Sequence, residues 1–199
     1  MKVFFDIDTQ LDFIVPAGAL YGAGAEQLIP AIAALNRYAG GHGIPLISTV
    51  DAHPEDAREF RDWPPHCVAG TFGQQKPSAT LLSPRVTIPW NSRVDFEALD
   101  PAAKQIIVEK NDLDVFSNPN MPGLLDKLDA GECYVYGLFI DYCVKCALMG
   151  LLLRSGRPVF LIQDAAASIA KQTGETAIQE FIAAGGSIIS LADAAPGAN

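Results

Sequence analysis

Apolar and polar positions alternate along this chain between two textures. Short, nearly continuous apolar runs rich in strand formers occur at "KVFFDID" (2–8), "IPLISTV" (44–50), "KQIIVEK" (104–110), "CYVYGLF" (133–139), "PVFLIQD" (158–164) and "GSIISL" (186–191). Runs of that length and texture predict buried strands. Between most of them the apolar residues recur at helical spacing, in "AEQLIPAIAALNRYAGG" (25–41), "MPGLLDKLDA" (121–130), "DYCVKCALMGLLLRSG" (141–156) and "TGETAIQEFIAAGG" (173–186). The first of these helices ends on a glycine pair, a common stop signal. Strands alternating with helices predict the α/β class: a mostly parallel sheet of about six strands with helices on both faces. The stretch of about 52–103 is different, rich in Pro and Ser with no strong period. A loop region that long inside a compact domain usually serves function.

Composition narrows the picture. A chain of 199 residues, 49% hydrophobic and 19% charged, is ample for one buried core, so a single domain over 1–199 is expected. The formal net charge of -9, with no cluster of Lys or Arg, argues against nucleic acid or an anionic membrane as the main partner. Asp6 and Asp8 interrupt the first apolar run too early for a signal-peptide core, and no apolar stretch is long enough to span a bilayer. A cytoplasmic location is expected. Without a secretory signal, the four cysteines read as reduced thiols.

Candidate chemistry collects at strand ends. Asp8 ends the first strand, Asp51 follows the second, Lys110 ends the third, and Cys143 lies just beyond the fourth at a helix start. In open parallel sheets the carboxyl edge is where ligands bind, so these residues are expected to converge in one crevice. Singly, each has a plain structural explanation, as a cap, a solvated strand end or a small core residue. Together they make a hydrolytic set. A helix start and the Lys110 cation would lower the Cys143 thiol pKa. Asp8 would take the thiol proton and pass it to a leaving amine. The Cys143 N–H would be free to stabilise an oxyanion. A different chemistry is also open, because Cys143-Val-Lys-Cys146 is a CxxC at a helix start and fits a thiol–disulfide oxidoreductase. Strand alternation puts Asp6 on the face of Asp8, allowing a carboxylate pair, and Asp12 and Asp164 read as residues that satisfy backbone donors.

The segment "DAHPEDAREFRDWPPHC" (51–67) holds two of the three histidines. Asp51, His53 and His66 could ligate a metal, or the first two could cap a turn while His66 packs under Trp63.

These motifs carry a resemblance. Asp8 in "DIDTQLDF", Lys110 in "IIVEKNDLDVFS" and Cys143 in "GLFIDYCV" resemble the Asp, Lys and Cys of the isochorismatase-like cysteine hydrolases, and "WPPHCVAGT" resembles the nicotinamidase branch. The resemblance covers nearly the whole chain and implies a Rossmann-like three-layer αβα fold. It implies Asp8 as general base and acid, Lys110 as the charge beside the thiol, and Cys143 as the nucleophile of an acyl-enzyme. It also implies a cis peptide in the segment matching Phe139-Ile140, and an oxyanion hole from the amides of Phe139 and Cys143. One divalent metal ion per chain is implied (zinc first, with iron or manganese as alternatives), held by Asp51, His53 and His66, with Glu59 where many relatives carry another histidine. That metal would hold the substrate's pyridine nitrogen, with Cys67 a neighbour outside the catalysis. Phe13 and Trp63 match positions that clamp the ring of a small heteroaromatic amide. The loop "NDLDVFSNPNMPG" departs from the family pattern near the substrate. Relatives are often dimers or larger, so a homo-oligomer is compatible with the resemblance.

Overall fold

The computed structural model describes residues 1–198. Seven strands form one parallel sheet: β1 (Lys2–Ile7), β2 (Leu46–Asp51), β3 (Arg85–Ile88), β4 (Gln105–Lys110), β5 (Glu132–Leu138), β6 (Val159–Ala167) and β7 (Ser187–Ile189), in the order β3-β4-β2-β1-β5-β6-β7. The helices are α1 (Leu11–Ile14), α2 (Ile29–His42), α3 (Met121–Lys127), α4 (Cys143–Ser155), α5 (Lys171–Ala183) and α6 (Leu191–Ala194). No helix is long and apolar enough to cross a membrane among the described residues.

Alternation along β1 explains the layering. Val3, Phe5 and Ile7 join the core cluster that contains Leu124 of α3, Val144 and Leu148 of α4, and Phe181 of α5. Phe4 points the other way, into a second cluster with Ile32 and Leu35 of α2 and Ala194 of α6. Both faces of the sheet are therefore covered, which is why its strands read as apolar runs.

One unpredicted strand, β3, lies at the sheet edge within the loop region, directly after a cis Ser83–Pro84 bond. Its alternately exposed residues gave it no continuous apolar signal. The rest of the loop region is mostly irregular, with 3₁₀ turns at Arg58–Arg61, Ser78–Thr80 and Phe96–Ala98.

Two buried fasteners hold this region to the sheet. Lys76 Nζ lies 3.2 Å from Asp6 Oδ2 and donates to Thr9 Oγ1 at 2.5 Å. Gln10 donates to Asp51 O and Gln74 O, both at 2.9 Å, and accepts from Asp51 N–H at 2.7 Å.

The strand order reverses around β1 and β5, the place where an open sheet opens a crevice at its carboxyl edge. Gly137 makes the close approach there possible. Its φ of +115° disfavours any side chain, and a Cβ would come within 2.2 Å of Ile7 O on β1. Gly137→Ala is therefore expected to cost at least about 2 kcal/mol, combining left-handed strain with displaced backbone. Urea denaturation measures it, and a loss under about 0.5 kcal/mol would mean the two strands part freely.

Candidate active site

Four of the expected residues meet at the carboxyl edge of the sheet. The chain leaves β1 at Ile7, and Asp8 takes a left-handed φ of +47°, which breaks the strand alternation. Asp6 and Asp8 consequently part. Asp6 bonds with Thr9 (2.7 Å), Asn36 of α2 (2.9 Å) and Ser48 (3.2 Å) on the α2 side. Asp8 Oδ1 accepts from Thr49 Oγ1 at 2.6 Å, while its buried Oδ2 faces the Lys110 ammonium at 2.9 Å.

Lys110, which ends β4, is the hub. Its buried ammonium lies 2.9 Å from Asp8 Oδ2, 2.5 Å from Asp51 Oδ1 and 3.4 Å from Cys143 Sγ, and it donates to Asp112 O at 3.0 Å. Burial pulls the ammonium down, but Asp51 and Asp8 outweigh that effect and hold its pKa well above the lysine range. Asp51 is raised to about 6, by burial first, with Lys110 opposing and Asp8 adding.

Cys143 opens α4, and its thiol, the Asp8 carboxylate and the Asp51 carboxylate lie within 4.8 Å of one another. The expected thiolate does not hold for this resting arrangement. Burial pushes the thiol well above its ordinary range, and Lys110 only partly offsets it while Asp8 and Asp51 add to it. One ammonium shared by two carboxylates cannot stabilise a third anion in a site this dry. Burial thus favours the protonated thiol, beside the Asp8 carboxylate.

The segment before α4 supplies donors. The non-proline cis bond is Leu138–Phe139, one residue earlier than the expected Phe139-Ile140. Tyr142 N–H and Val144 N–H donate to Phe139 O, and Ile140 N–H to Ala167 O. Among the described residues no group accepts from the Phe139 or Cys143 N–H. Two free amides beside one thiol suit a developing oxyanion.

A partly open cleft lies above the thiol. Phe13, Trp63, Phe139 and Tyr142 line it, with Asp51, Glu59 and His66 at one side. Phe13 belongs to the core as well, and packs on His66 (5.4 Å between centroids) and edge-on to Phe139 (5.9 Å). Trp63 meets Tyr142 edge-on at 5.5 Å. Leu138 at the end of β5 also lines this space, and three more apolar residues, Leu20, Leu113 and Ile169, complete it. These three sit on loops, where a single apolar residue gives no sequence signal.

Asp51, His53 and His66 each present a ligand atom within 4.8 Å of the others. His66 Nδ1 lies 2.8 Å from Pro64 O; a carbonyl only accepts, so the proton is on Nδ1 and Nε2 carries a lone pair. His53 Nδ1 lies 2.7 Å from Asn111 Oδ1, and its buried Nε2 has no hydrogen-bond partner. Glu59 brings one carboxylate oxygen to 3.7 Å from His53 Nε2 and the other to 3.7 Å from His66 Nε2. Two bare imidazole nitrogens facing two carboxylates fit a divalent cation.

The turn-cap alternative does not account for the orphaned His53 Nε2, and His66 contacts Phe13, Phe60 and His53 instead of lying under Trp63. Cys67 is buried, with its thiol pushed up by burial, and its N–H donates to Asp12 Oδ2 at 2.7 Å. Asp12 thus satisfies backbone donors as expected, and Asp164 does so at Leu191 N–H.

Comparison with known proteins agrees with this architecture. A nicotinamidase of Saccharomyces cerevisiae is 27% identical over 173 residues, spanning 73% of this chain and 78% of that one. The crystal structure of a Bacillus subtilis nicotinamidase superposes with a TM-score of 0.79 at 24% identity, over 95% of this chain and 99% of that chain. A Pyrococcus horikoshii pyrazinamidase in complex with zinc superposes with a TM-score of 0.76 at 26% identity, over 95% and 98%. The family described as Isochorismatase domain matches residues 2–193, and this chain belongs to that family.

Proposed function

We propose that this chain, working as one hydrolase domain, is a cysteine amidohydrolase that converts nicotinamide to nicotinate and ammonia through a thioester at Cys143. The observation that carries the reading is the buried Lys110 ammonium touching Asp8, Asp51 and Cys143 beneath a cleft whose lining contains no cationic side chain.

In the first half-reaction Cys143 Sγ attacks the carboxamide carbon as its proton passes to Asp8 Oδ2. The carbonyl oxygen becomes an oxyanion facing the Phe139 and Cys143 N–H groups. Asp8 returns the proton to the amide nitrogen, the C–N bond breaks, and ammonia leaves a thioester. Water then attacks the thioester with Asp8 as base, the C–S bond breaks, and the thiol and the carboxylic acid are released. Lys110 stays charged throughout and holds Asp8 against Cys143. Phe13 and Trp63 flank the substrate ring.

Asp51, His53, Glu59 and His66 would hold one divalent cation, which when bound supplies a ligand position for the ring nitrogen. The zinc in the Pyrococcus horikoshii relative supports that ion first. Two oxygen ligands also suit iron or manganese.

His53→Ala or His66→Ala is expected to lower bound metal from near one per chain to below about a tenth, and to raise KM for nicotinamide at least tenfold. Metal analysis of purified protein, with ammonia release on the same sample, tests both the reading and the ligand set. Full metal content in either variant would count against the ligands. A metal-loaded protein that releases no ammonia would count against the substrate. A second reading, another small neutral amide, has one observation in its favour: the loop after Lys110 sends Leu113 into the cleft lining. The CxxC oxidoreductase alternative is disfavoured, because among the described residues Lys110 hydrogen-bonds the Cys143 thiol and not that of Cys146, and that chemistry has no use for Asp51 or His66.

A further inference from the structure

We propose that Asn111 is the positioning residue of the metal centre, the group that keeps the His53 Nε2 lone pair available to a cation. This rests on the reading above that His53 is a ligand. Asp51 and Lys110 are paired in register at the ends of β2 and β4, and Ala52 N–H donates to Lys110 O at 2.8 Å. The two strands therefore leave the sheet side by side, and the residue after Lys110 reaches the one two beyond Asp51. Asn111 Oδ1 accepts there from His53 Nδ1 at 2.7 Å.

The two histidines are held differently. His66 gives its Nδ1 proton to a main-chain carbonyl, which no substitution at a single side chain removes. His53 gives its own to a side chain. The His53 ring is fully buried, and its other nitrogen faces Asp51 Oδ2 at 3.9 Å and Glu59 Oε2 at 3.7 Å. If Nδ1 loses its acceptor, the proton moves to Nε2, where either carboxylate accepts it. That proton occupies the lone pair a cation needs. Partners behind a metal-bound imidazole fix its tautomer in this way, and their loss typically weakens metal binding 10–100-fold.

Two variants separate this role from packing. Asn111→Leu keeps the volume but cannot accept a hydrogen bond, and Asn111→Asp keeps the acceptor. Equilibrium dialysis of chelator-stripped protein against Zn²⁺ or Mn²⁺ is expected to show Asn111→Leu binding about 10–100-fold more weakly, with Asn111→Asp matching or exceeding the unmodified chain. Nitrogen-15 chemical shifts of the metal-free protein should show the His53 proton on Nδ1 in the unmodified chain and on Nε2 in Asn111→Leu. Undiminished metal affinity in Asn111→Leu, or equal weakening in both variants, would overturn the proposal. If the unmodified chain itself binds no metal while still releasing ammonia, the metal centre is what fails, and the role of Asn111 falls with it.

Discussion

Replacing Cys143 with alanine is expected to lower nicotinamide turnover by at least about 10⁴-fold, to the level left by the oxyanion donors and binding alone. Among the described residues lining the cleft, Cys143 is the one whose side chain meets the Lys110 ammonium and lies beside the Asp8 carboxylate, so on the proposed route its loss leaves Asp8 and Lys110 without the nucleophile they serve. Cys143 is 7% exposed and packs on Val144 and Ala147 in the α4 layer, so the substitution leaves only a small void. The variant should therefore fold and bind the substrate ring with little change. Ammonia release measured beside equilibrium binding of nicotinamide separates the two effects. A rate within tenfold of the unmodified chain would rule out the thioester route and point to direct attack by water.

Removing the hub cation should act on the fold as much as on the reaction. Lys110→Met keeps the length of the side chain but leaves the carboxylates of Asp8 and Asp51 buried without a counter-charge. Breaking a buried pair from one side costs about 3–5 kcal/mol. At about 2–4 °C per kcal/mol for a chain of this size, the midpoint of thermal unfolding should fall by roughly 10 °C. The dependence on pH identifies the cause. Burial already raises Asp51 to about 6 with Lys110 in place, so without the cation this carboxyl should sit further above its unfolded value. Groups whose folded pKa is raised weaken the fold as pH rises and stop doing so below the unfolded pKa. In metal-free protein the deficit should be largest near neutrality and narrow towards pH 4. A deficit constant between pH 4 and pH 8 would assign the loss to packing.

How much of this could be read beforehand depends on what each element needs from the rest of the chain. The six apolar runs and α2 and α4 carry their own period, and all are present. β3 and the four-residue helices α1 and α6 are too short or too exposed to do so. Residue types at strand ends were legible because a parallel sheet gathers them at one edge whatever its order, and Asp8, Asp51, Lys110 and Cys143 do meet there. The charge state of Cys143 was not legible, since it turns on burial and on sharing one cation between two carboxylates. Gln10 and Asn111 gave no sign, because an amide in a loop looks the same whether it faces water or clamps a buried backbone or imidazole. The cis bond lies one residue from its expected place, a register only coordinates resolve.

The short parallel bridge inside the loop region has a thermodynamic consequence. His53 N–H donates to Cys67 O at 3.2 Å and Ala69 N–H to His53 O at 2.8 Å, so the main chain itself draws the His53 strand against the residue beside His66. The entropy of bringing the two imidazoles together is then spent when the chain folds, and little is left for the ion to pay. A cation arriving at such a finished receptor meets its donors with their spacing already set. Ion exchange and folding become separate events, and which ion occupies the site is decided by supply and ligand chemistry after the fold is complete.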